Sequence, residues 1–231
     1  MQQNSRTAVE GDRSMSGAAP SVSLTERAYR QLEELIVTLA LPPKTVLSEQ
    51  LLSQQLNIGR TPVREALQQL ARDGLVTILP RRGVLVSDIN LRTQLRLLEL
   101  RREVERLMAR VAAERSTPAE AAAFRQLATD MRHASDAADD IAFMRLDREL
   151  NALISQAARN EFATRSMGLM HGLSRRFWYQ HYREAADLPL AASLHAALAD
   201  AIARRDGAGA ANASDALISY IESFARKTID S

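Results

Sequence analysis

The apolar residues at the start of the chain recur every three or four positions, a spacing that predicts amphipathic helices. The first helix spans about residues 24–39 and ends at Leu41-Pro42-Pro43, because proline lacks an amide hydrogen and restricts the residue before it. A second helix begins at Ser48 and ends near Asn57. Residues 1–22, by contrast, are polar without an apolar core and predict a disordered tail.

A third helix follows Gly59 and carries its own start and stop signals. Thr61 can cap it, and Pro62 would occupy its first position, where the missing amide donor costs nothing. Its inward face would consist of four apolar residues: Val63, Ala66, Leu67 and Leu70. Asp73-Gly74 ends the pattern, so the polar face of this helix is left for solvent or a partner.

Two short runs of β-prone residues come next, over residues 75–79 and 84–86. They are joined by Pro80-Arg81-Arg82-Gly83, a turn in which glycine allows a positive φ. Three helices and a small hairpin are typical of a winged helix-turn-helix, in which the helix after the turn enters the major groove of DNA. We predict this domain over residues 23–88.

From residue 89 to residue 231 the pattern is helical and rich in alanine. It predicts six helices, the fourth of them continuous from Phe162 to about Tyr182. The breaks are short, so that neighbouring helices pack antiparallel in a bundle. The fold class is therefore mainly α: an N-terminal winged helix-turn-helix followed by an all-α antiparallel helical bundle.

Composition and charge narrow the class of protein. The 231 residues include no cysteine, which excludes disulfides and thiolate zinc sites and is compatible with a cytoplasmic location. No run approaches the ~18 apolar residues of a membrane span. The net charge is only +2, so a nucleic acid must be met by a local charge excess. Between Ile58 and Arg82, five arginines face two acidic residues.

The string from Arg60 to Leu67, Arg-Thr-Pro-Val-Arg-Glu-Ala-Leu, resembles the DNA-binding domain of GntR-family transcriptional regulators. Shorter strings agree with it: Leu47-Ser48-Glu49, Asp73-Gly74-Leu75-Val76 and Arg82-Gly83. The resemblance covers about residues 24–87 and implies binding of double-stranded DNA. Gly59 stands where the family usually has Ser or Thr, and Gln50 where several members have Arg, so operator preference does not carry over.

The resemblance places the DNA contacts on the third helix, at the start of the second and on the wing. The predicted DNA-binding residues are Ser48, Gln50, Arg60, Thr61, Arg64, Arg81, Arg82 and Gly83. Arg60 and Arg64, four residues apart on one face, could each read a guanine, whereas Thr61 would hold a phosphate. The wing arginines would lie over the minor groove or the backbone. The structural alternative is a solvated helix surface.

The helical part resembles the FCD effector domain of the FadR-type subgroup. The strings that carry this resemblance are Glu99–Glu105, Asp147–Asn151 with Asn160, and Ser193-Leu194-His195 with Asp206. Many FCD domains hold a divalent metal through an Asp, a His four residues later and two further His residues. Asp147 and His195 match, but Asn151 replaces the second ligand and Leu217 or Tyr220 the last. Binding of a divalent metal by Asp147 and His195 remains an open alternative but is disfavoured. No cofactor is predicted with certainty.

Five residues are expected to line an effector cavity in the bundle: Arg101, Asp147, Asn151, His195 and Tyr220. Arg101 stands where the family tends to place an arginine that pairs with a carboxylate, which implies a small carboxylate-bearing effector. The structural alternative is a core histidine and a solvated arginine. His133, His171 and His181 have no partner at metal-ligand spacing and are assigned to the surface or the core.

Together these features predict a ligand-responsive transcriptional repressor that binds a palindromic operator as a homodimer, because twofold symmetry repeats a short recognition helix. No membrane partner is expected. Three alternatives stay open: a metal-dependent regulator of the same fold, a constitutive DNA-binding dimer without effector, and a helical enzyme with Asp147 and His195 as acid and base. The enzyme leaves the Arg60–Leu67 string unexplained and is not our prediction.

Overall fold

The computed structural model describes residues 22–185 and 187–228, so that the predicted tail, apart from Val22, lies outside the described residues. The helices are α1 (Leu24–Val37), α2 (Glu49–Leu56), α3 (Arg60–Arg72), α4 (Leu91–Arg115), α5 (Pro118–Asp136), α6 (Asp140–Ala158), α7 (Glu161–Gly168), α8 (His171–Ala185), α9 (Leu188–Ala203) and α10 (Gly207–Lys227). The strands are β1 (Val46–Leu47), β2 (Val76–Leu79) and β3 (Gly83–Val86).

The predicted winged helix-turn-helix is confirmed. Helices α1 to α3 share one apolar core, to which α3 contributes the predicted inward face of Val63, Ala66, Leu67 and Leu70. Hydrogen bonds between side chains also join α1 to α3 and its end, from Thr25 to Glu65 and from Tyr29 to Asp73. Apolar packing and these polar ties together hold α3 with its other face exposed.

The start of α3 differs from the prediction. Gly59 is the N-cap and Arg60 the first helical residue, so Thr61 does not cap the helix and Pro62 is its third residue. Proline is tolerated there because the first amides of a helix have no intrahelical acceptor.

The wing is a three-stranded antiparallel sheet in the order β1-β3-β2. Its hairpin pairs Leu79 with Gly83, and Gly83 has the expected positive φ, +100°. A Cβ at Gly83 would lie 2.8 Å from the Leu47 carbonyl oxygen, so the close approach of β1 also requires glycine. The sequence did not predict β1, because two residues are too few to show a β pattern.

The all-α prediction for the second part is confirmed, but six helices is wrong. The described residues contain seven, because the helix expected from Phe162 to Tyr182 is two, α7 and α8. Gly168 ends α7, and the Met170 amide donates to the Met167 carbonyl instead of continuing the helical pattern. α8 can therefore take its own direction.

Alanine-rich faces give the bundle a tightly packed core. α4 packs along α10, and α5 along α9, with α6 against α4 and α5. Many of the buried residues are alanines, among them Ala112, Ala128, Ala157, Ala199 and Ala210. Small side chains let helices approach closely, and most of the remaining space is filled by Leu, Ile, Met and Phe. None of the helices within the described ranges has the length and apolar character to cross a membrane.

α8 joins the two parts. The bundle core includes Val37 of α1, and Leu173 of α8 packs against the winged-helix core. Arg176 of α8 is buried and donates hydrogen bonds to the carbonyls of Ser87 (2.8 Å) and Asp88 (3.0 Å), which lie between β3 and α4. The connection between the two parts is therefore fixed at its backbone.

Candidate DNA-binding surface and bundle cavity

The exposed face of α3 carries the predicted base-reading arginines. Arg60, Thr61, Arg64 and Gln68 are all exposed, opposite the buried apolar face of the helix. Arg64 extends toward α2, where its Nη2 lies 2.9 Å from Glu49 Oε2 and its Nε donates to the same oxygen at 3.0 Å. No local pattern in the sequence indicates Glu49 as a partner, because fifteen positions separate it from Arg64.

The other predicted contacts lie at the start of α2 and on the wing. Ser48 is the N-cap of α2, but its side chain makes no capping hydrogen bond. Gln50 in the first turn is exposed, and the Glu49–Arg64 pair brings this turn beside α3. Arg81 and Arg82 are exposed in the hairpin turn, next to Gly83. Cationic and polar side chains thus lie on both the helix pair and the wing.

The structure brings all five residues predicted for the effector site to one cavity inside the bundle. Five helices line it: α4 with Arg101, α6 with Asp147 and Asn151, α8, α9 with His195, and α10 with Tyr220. The space between the lining atoms, with the mouth included, amounts to about 450 Å³. Phe143, Trp178 and Ile221 supply apolar walls, so the cavity combines apolar surface with a few polar groups, as small-molecule sites do.

Asp147 is the central acidic group of this cavity. It is buried and accepts a hydrogen bond from Asn151 Nδ2 at 3.0 Å, and its Oδ1 lies 3.3 Å from His195 Nε2. Burial favours the neutral acid, but the hydrogen bond and charge of His195, with His171 and Arg101, outweigh it and hold the pKa of Asp147 below its usual value. Asp147 is therefore a carboxylate at neutral pH.

His195 is oriented by its own helix. Its Nδ1 donates to the Ala191 carbonyl at 2.7 Å, and its Nε2 lies 3.3 Å from Asp147 Oδ1, to which it donates when Nε2 also carries a proton. Phe143 packs edge-on against the imidazole, with 5.2 Å between the ring centroids.

Arg101 and Tyr220 have partners within the protein. Arg101 is buried, donates to Glu105 at 2.5 Å and also bonds the Ser174 hydroxyl. The Tyr220 hydroxyl donates to the Asp187 carbonyl at 3.2 Å, and burial raises the pKa of Tyr220. Both side chains line the cavity from fixed positions.

Two family models match the chain in succession. The model for bacterial regulatory proteins of the gntR family matches residues 24–86, and the model for the FCD domain matches residues 96–220, more than half of the chain. The chain belongs to the GntR family. It is a transcriptional regulator with a DNA-binding helix-turn-helix domain and an FCD domain, and not an enzyme.

Known relatives of this GntR regulator resemble it over most of its length. The HTH-type transcriptional repressor RspR of Escherichia coli (strain K12) is 28% identical over 188 residues, which are 81% of this chain and 82% of RspR.

Solved structures share the fold of this GntR regulator. E. coli McbR/YncC superposes with a TM-score of 0.77 at 20% identity, over 90% of this chain and 99% of that one. A GntR regulator from Rhodococcus sp. RHA1, described as a putative one, has a TM-score of 0.62 at 23% identity, over 90% and 98% of the two chains.

The contribution of α8 to the cavity of this GntR regulator was not predicted from the sequence. His171, Ser174, Arg175 and Trp178 line it at helical spacing, although His171 had been assigned to the surface or the core. Burial lowers the pKa of His171 below its usual value. Burial also lowers the pKa of Arg175, to about 10. The spacing of His171 and Arg175, one helical turn apart, was the signal that could have indicated a shared site. One histidine and one arginine at this spacing are, however, common on protein surfaces.

The residues at the positions of the FCD metal ligands do not come together as a metal site. Within the described part of the chain, no three His, Asp or Glu side chains form a group that could hold a metal ion. The Asn151 amide nitrogen faces Asp147, Leu217 is buried in the apolar core, and the Tyr220 hydroxyl is engaged with Asp187. Asp147 and His195 remain as two donors, so the residues present do not fit a three- or four-ligand metal centre.

Proposed function

We propose that this GntR regulator is a ligand-responsive repressor that binds a palindromic operator as a homodimer. Residues 23–88 contact the DNA, and residues 89–231 hold the effector and most of the dimer contact. Such a regulator must reach the chromosome, so we retain the cytoplasmic location predicted from the sequence. The name of the relative RspR, a repressor, supports the sign of regulation.

The observation that carries the effector proposal is the chemistry of the cavity. Three of its buried polar atoms, Asp147 Oδ2, His171 Nε2 and Arg175 Nε, have no hydrogen-bond partner, and the first and last of them form only a long ion pair of 3.6 Å with each other. Buried polar groups are rarely left in this state, and a ligand with matching groups would satisfy them. Arg175 and Arg101 favour a carboxylate, and the walls of Phe143 and Trp178 favour an apolar body on the same molecule.

The DNA proposal rests on the exposed face of α3. Each recognition helix reads few base pairs, so a homodimer on an inverted repeat doubles the contact and matches the twofold symmetry of the protein. In vitro selection from random DNA duplexes should enrich an inverted repeat, and sedimentation equilibrium should give the mass of a dimer. Selection of an unrepeated site by a monomer would contradict the proposal.

The effector part is tested by screening small organic acids for a rise in melting temperature and for release of the selected DNA. If DNA binding is strong and no acid changes either quantity, the protein is a constitutive DNA-binding dimer. Metal analysis of the purified protein and of Asp147→Ala tests the metal-dependent alternative. Stoichiometric metal that is lost in Asp147→Ala would favour that alternative.

A further inference from the structure

α8 separates the bundle cavity from the DNA-binding domain. His171, Ser174 and Trp178 line the cavity from one side of this helix. On the other side, Gly172 lies so close to Leu75 that a Cβ would come within 2.7 Å of the leucine Cδ1. A side chain of α8 that changes its position in the cavity can therefore also change the contacts of α8 with the DNA-binding domain.

Arg175 lies at the boundary between the two sides. Its Nη2 forms an ion pair with Glu33 Oε1 of α1, and its Nε lies 3.6 Å from Asp147 Oδ2 in the cavity. Neither Arg175 Nε nor Asp147 Oδ2 has a hydrogen-bond partner, and both are buried. One guanidinium is thus paired with a carboxylate from each part, and its Nε–H on the cavity side makes no hydrogen bond.

Glu33 does not depend on Arg175 alone. Its side chain is only 3% exposed, and Arg148 of α6 donates to its second oxygen, Oε2, at 3.0 Å. Loss of the sole partner of a buried carboxylate would be strongly unfavourable. Because Arg148 remains, Arg175 can leave Glu33 without stranding a buried charge.

We propose that Arg175 couples the cavity to the DNA-binding domain by exchanging Glu33 for a carboxylate bound in the cavity. This inference rests on the proposed function in taking the cavity as the effector site. The exchange removes one of the ties between α1 and α8 and loosens the placement of the winged helix. A ligand of the same shape without the charge leaves the Arg175–Glu33 pair intact, so the response requires an anion.

Hydrogen exchange of the full chain tests this coupling, with the buried amides of α1 as the readout. Glu33→Gln should speed their exchange by about tenfold or more, as expected for the loss of a charged hydrogen bond. Glu34→Gln is the matched control. Glu34 pairs with Arg145 at 2.6 Å in a partly exposed position of the same joint, and its loss should have less effect because solvent screens the pair.

The ligand step is tested with benzoate as the probe and benzamide as its uncharged counterpart. Benzoate at millimolar concentration should speed α1 exchange in the wild type and in Glu34→Gln, but add nothing in Glu33→Gln. Benzamide should have no effect. The proposal is overturned if Glu33→Gln leaves α1 exchange unchanged, if benzoate acts equally in that variant, or if benzoate and benzamide do not differ in the wild type.

The two proposals fail separately. DNA does not enter the exchange measurement, so a benzoate response in a protein that binds no operator would refute the proposed function and support the coupling. Operator binding without a benzoate response would refute only the coupling. If Glu33→Gln does not fold, the comparison of benzoate with benzamide in the wild type still decides the outcome.

Discussion

Arg64 is exposed on α3, yet the protein already restrains its guanidinium. Glu49 holds it through Nε and Nη2, both within 3.0 Å of one carboxylate oxygen. An exposed pair of this kind adds little to stability. It does limit the rotamers of a long side chain, so that Arg64 would lose less conformational entropy on reading a base edge as we propose.

Arg64→Ala should therefore weaken binding to the selected operator by about 1–3 kcal/mol and leave the stability of the fold within about 1 kcal/mol. Titration of labelled operator and thermal unfolding measure the two quantities. Arg125→Ala is the control, because Arg125 is equally exposed but lies on α5 in the bundle. Equal operator affinities for wild type and Arg64→Ala would refute the role of Arg64.

Asp147 gives the cavity a measurable pH dependence. Its pKa in the folded protein is below its usual value, so its ionised form stabilises the fold above about pH 4, and this stabilisation is lost as the pH falls further. Asp147→Asn should be about 1–3 kcal/mol less stable than the wild type near pH 6. The difference should shrink below about pH 4.

Urea unfolding of both proteins across this pH range checks the prediction. Asp136→Asn removes an exposed carboxylate and serves as the control for the general effect of charge. A difference between wild type and Asp147→Asn that stays constant with pH would show that the carboxylate has an ordinary pKa.

The elements of the DNA-binding domain could be predicted from the sequence because their signals are local. The stripe of α3 and the turn at Gly83 are each contained in a few consecutive residues. The cavity residues Asp147 and His195 were found only through the resemblance to the FCD domain. Arg175 was not found, because its role depends on Glu33 and Asp147, which no local pattern connects to it.

The division between α7 and α8 was missed for a related reason. A single glycine in a helical pattern is compatible with either a continuous helix or a break, and the packing of α8 against the winged helix decides. Gly172 permits that packing, since the Leu75 side chain occupies the position that a Cβ would need.

Gly168→Ala and Gly172→Ala should consequently have opposite effects. Nothing lies within 4 Å of a Cβ at Gly168, so alanine should stabilise the protein by about 0.5–1 kcal/mol through helix propensity. At Gly172 the same gain is outweighed by overpacking against Leu75, with a net loss of about 1–2 kcal/mol. Chemical denaturation of both variants provides the comparison.

The double variant Gly172→Ala with Leu75→Val tests whether contact with Leu75 causes the loss of stability in Gly172→Ala. Valine shortens the side chain that the new methyl group meets. The double variant should therefore lose less stability than the sum of the losses in the two single variants. Additive losses would mean that the packing of α8 on Leu75 does not require glycine.

The whole molecule has two apolar cores joined by few groups. One core belongs to α1–α3 and the wing and the other to the bundle, and Val37 and Leu173 each pack against the core of the other part. Arg176 adds a polar link by holding the Ser87 and Asp88 carbonyls. Burial lowers the pKa of Arg176 to about 10, well above physiological pH, so it remains a cation there. The placement of the DNA-binding domain thus rests on contacts along α8 and on the ion pairs of α1 with Arg145 and Arg148 of α6.

Removal of Arg176 should uncouple the two cores without destroying either. Arg176→Ala leaves two backbone carbonyls without their donor and opens space beneath the connecting segment, at a cost of about 1–3 kcal/mol in docking. Each part keeps its own core, so calorimetry should show two unfolding transitions where the wild type shows one, and proteolysis between residues 87 and 90 should become faster. Arg102→Ala, which removes a partly exposed pair with Glu222 inside the bundle, should retain a single transition. If Arg176→Ala also unfolds in one transition, the remaining contacts, which are the apolar packing of Val37 and Leu173 and the ion pairs of Glu33 and Glu34, are sufficient to couple the domains, and effector signalling through α8 would have to overcome them.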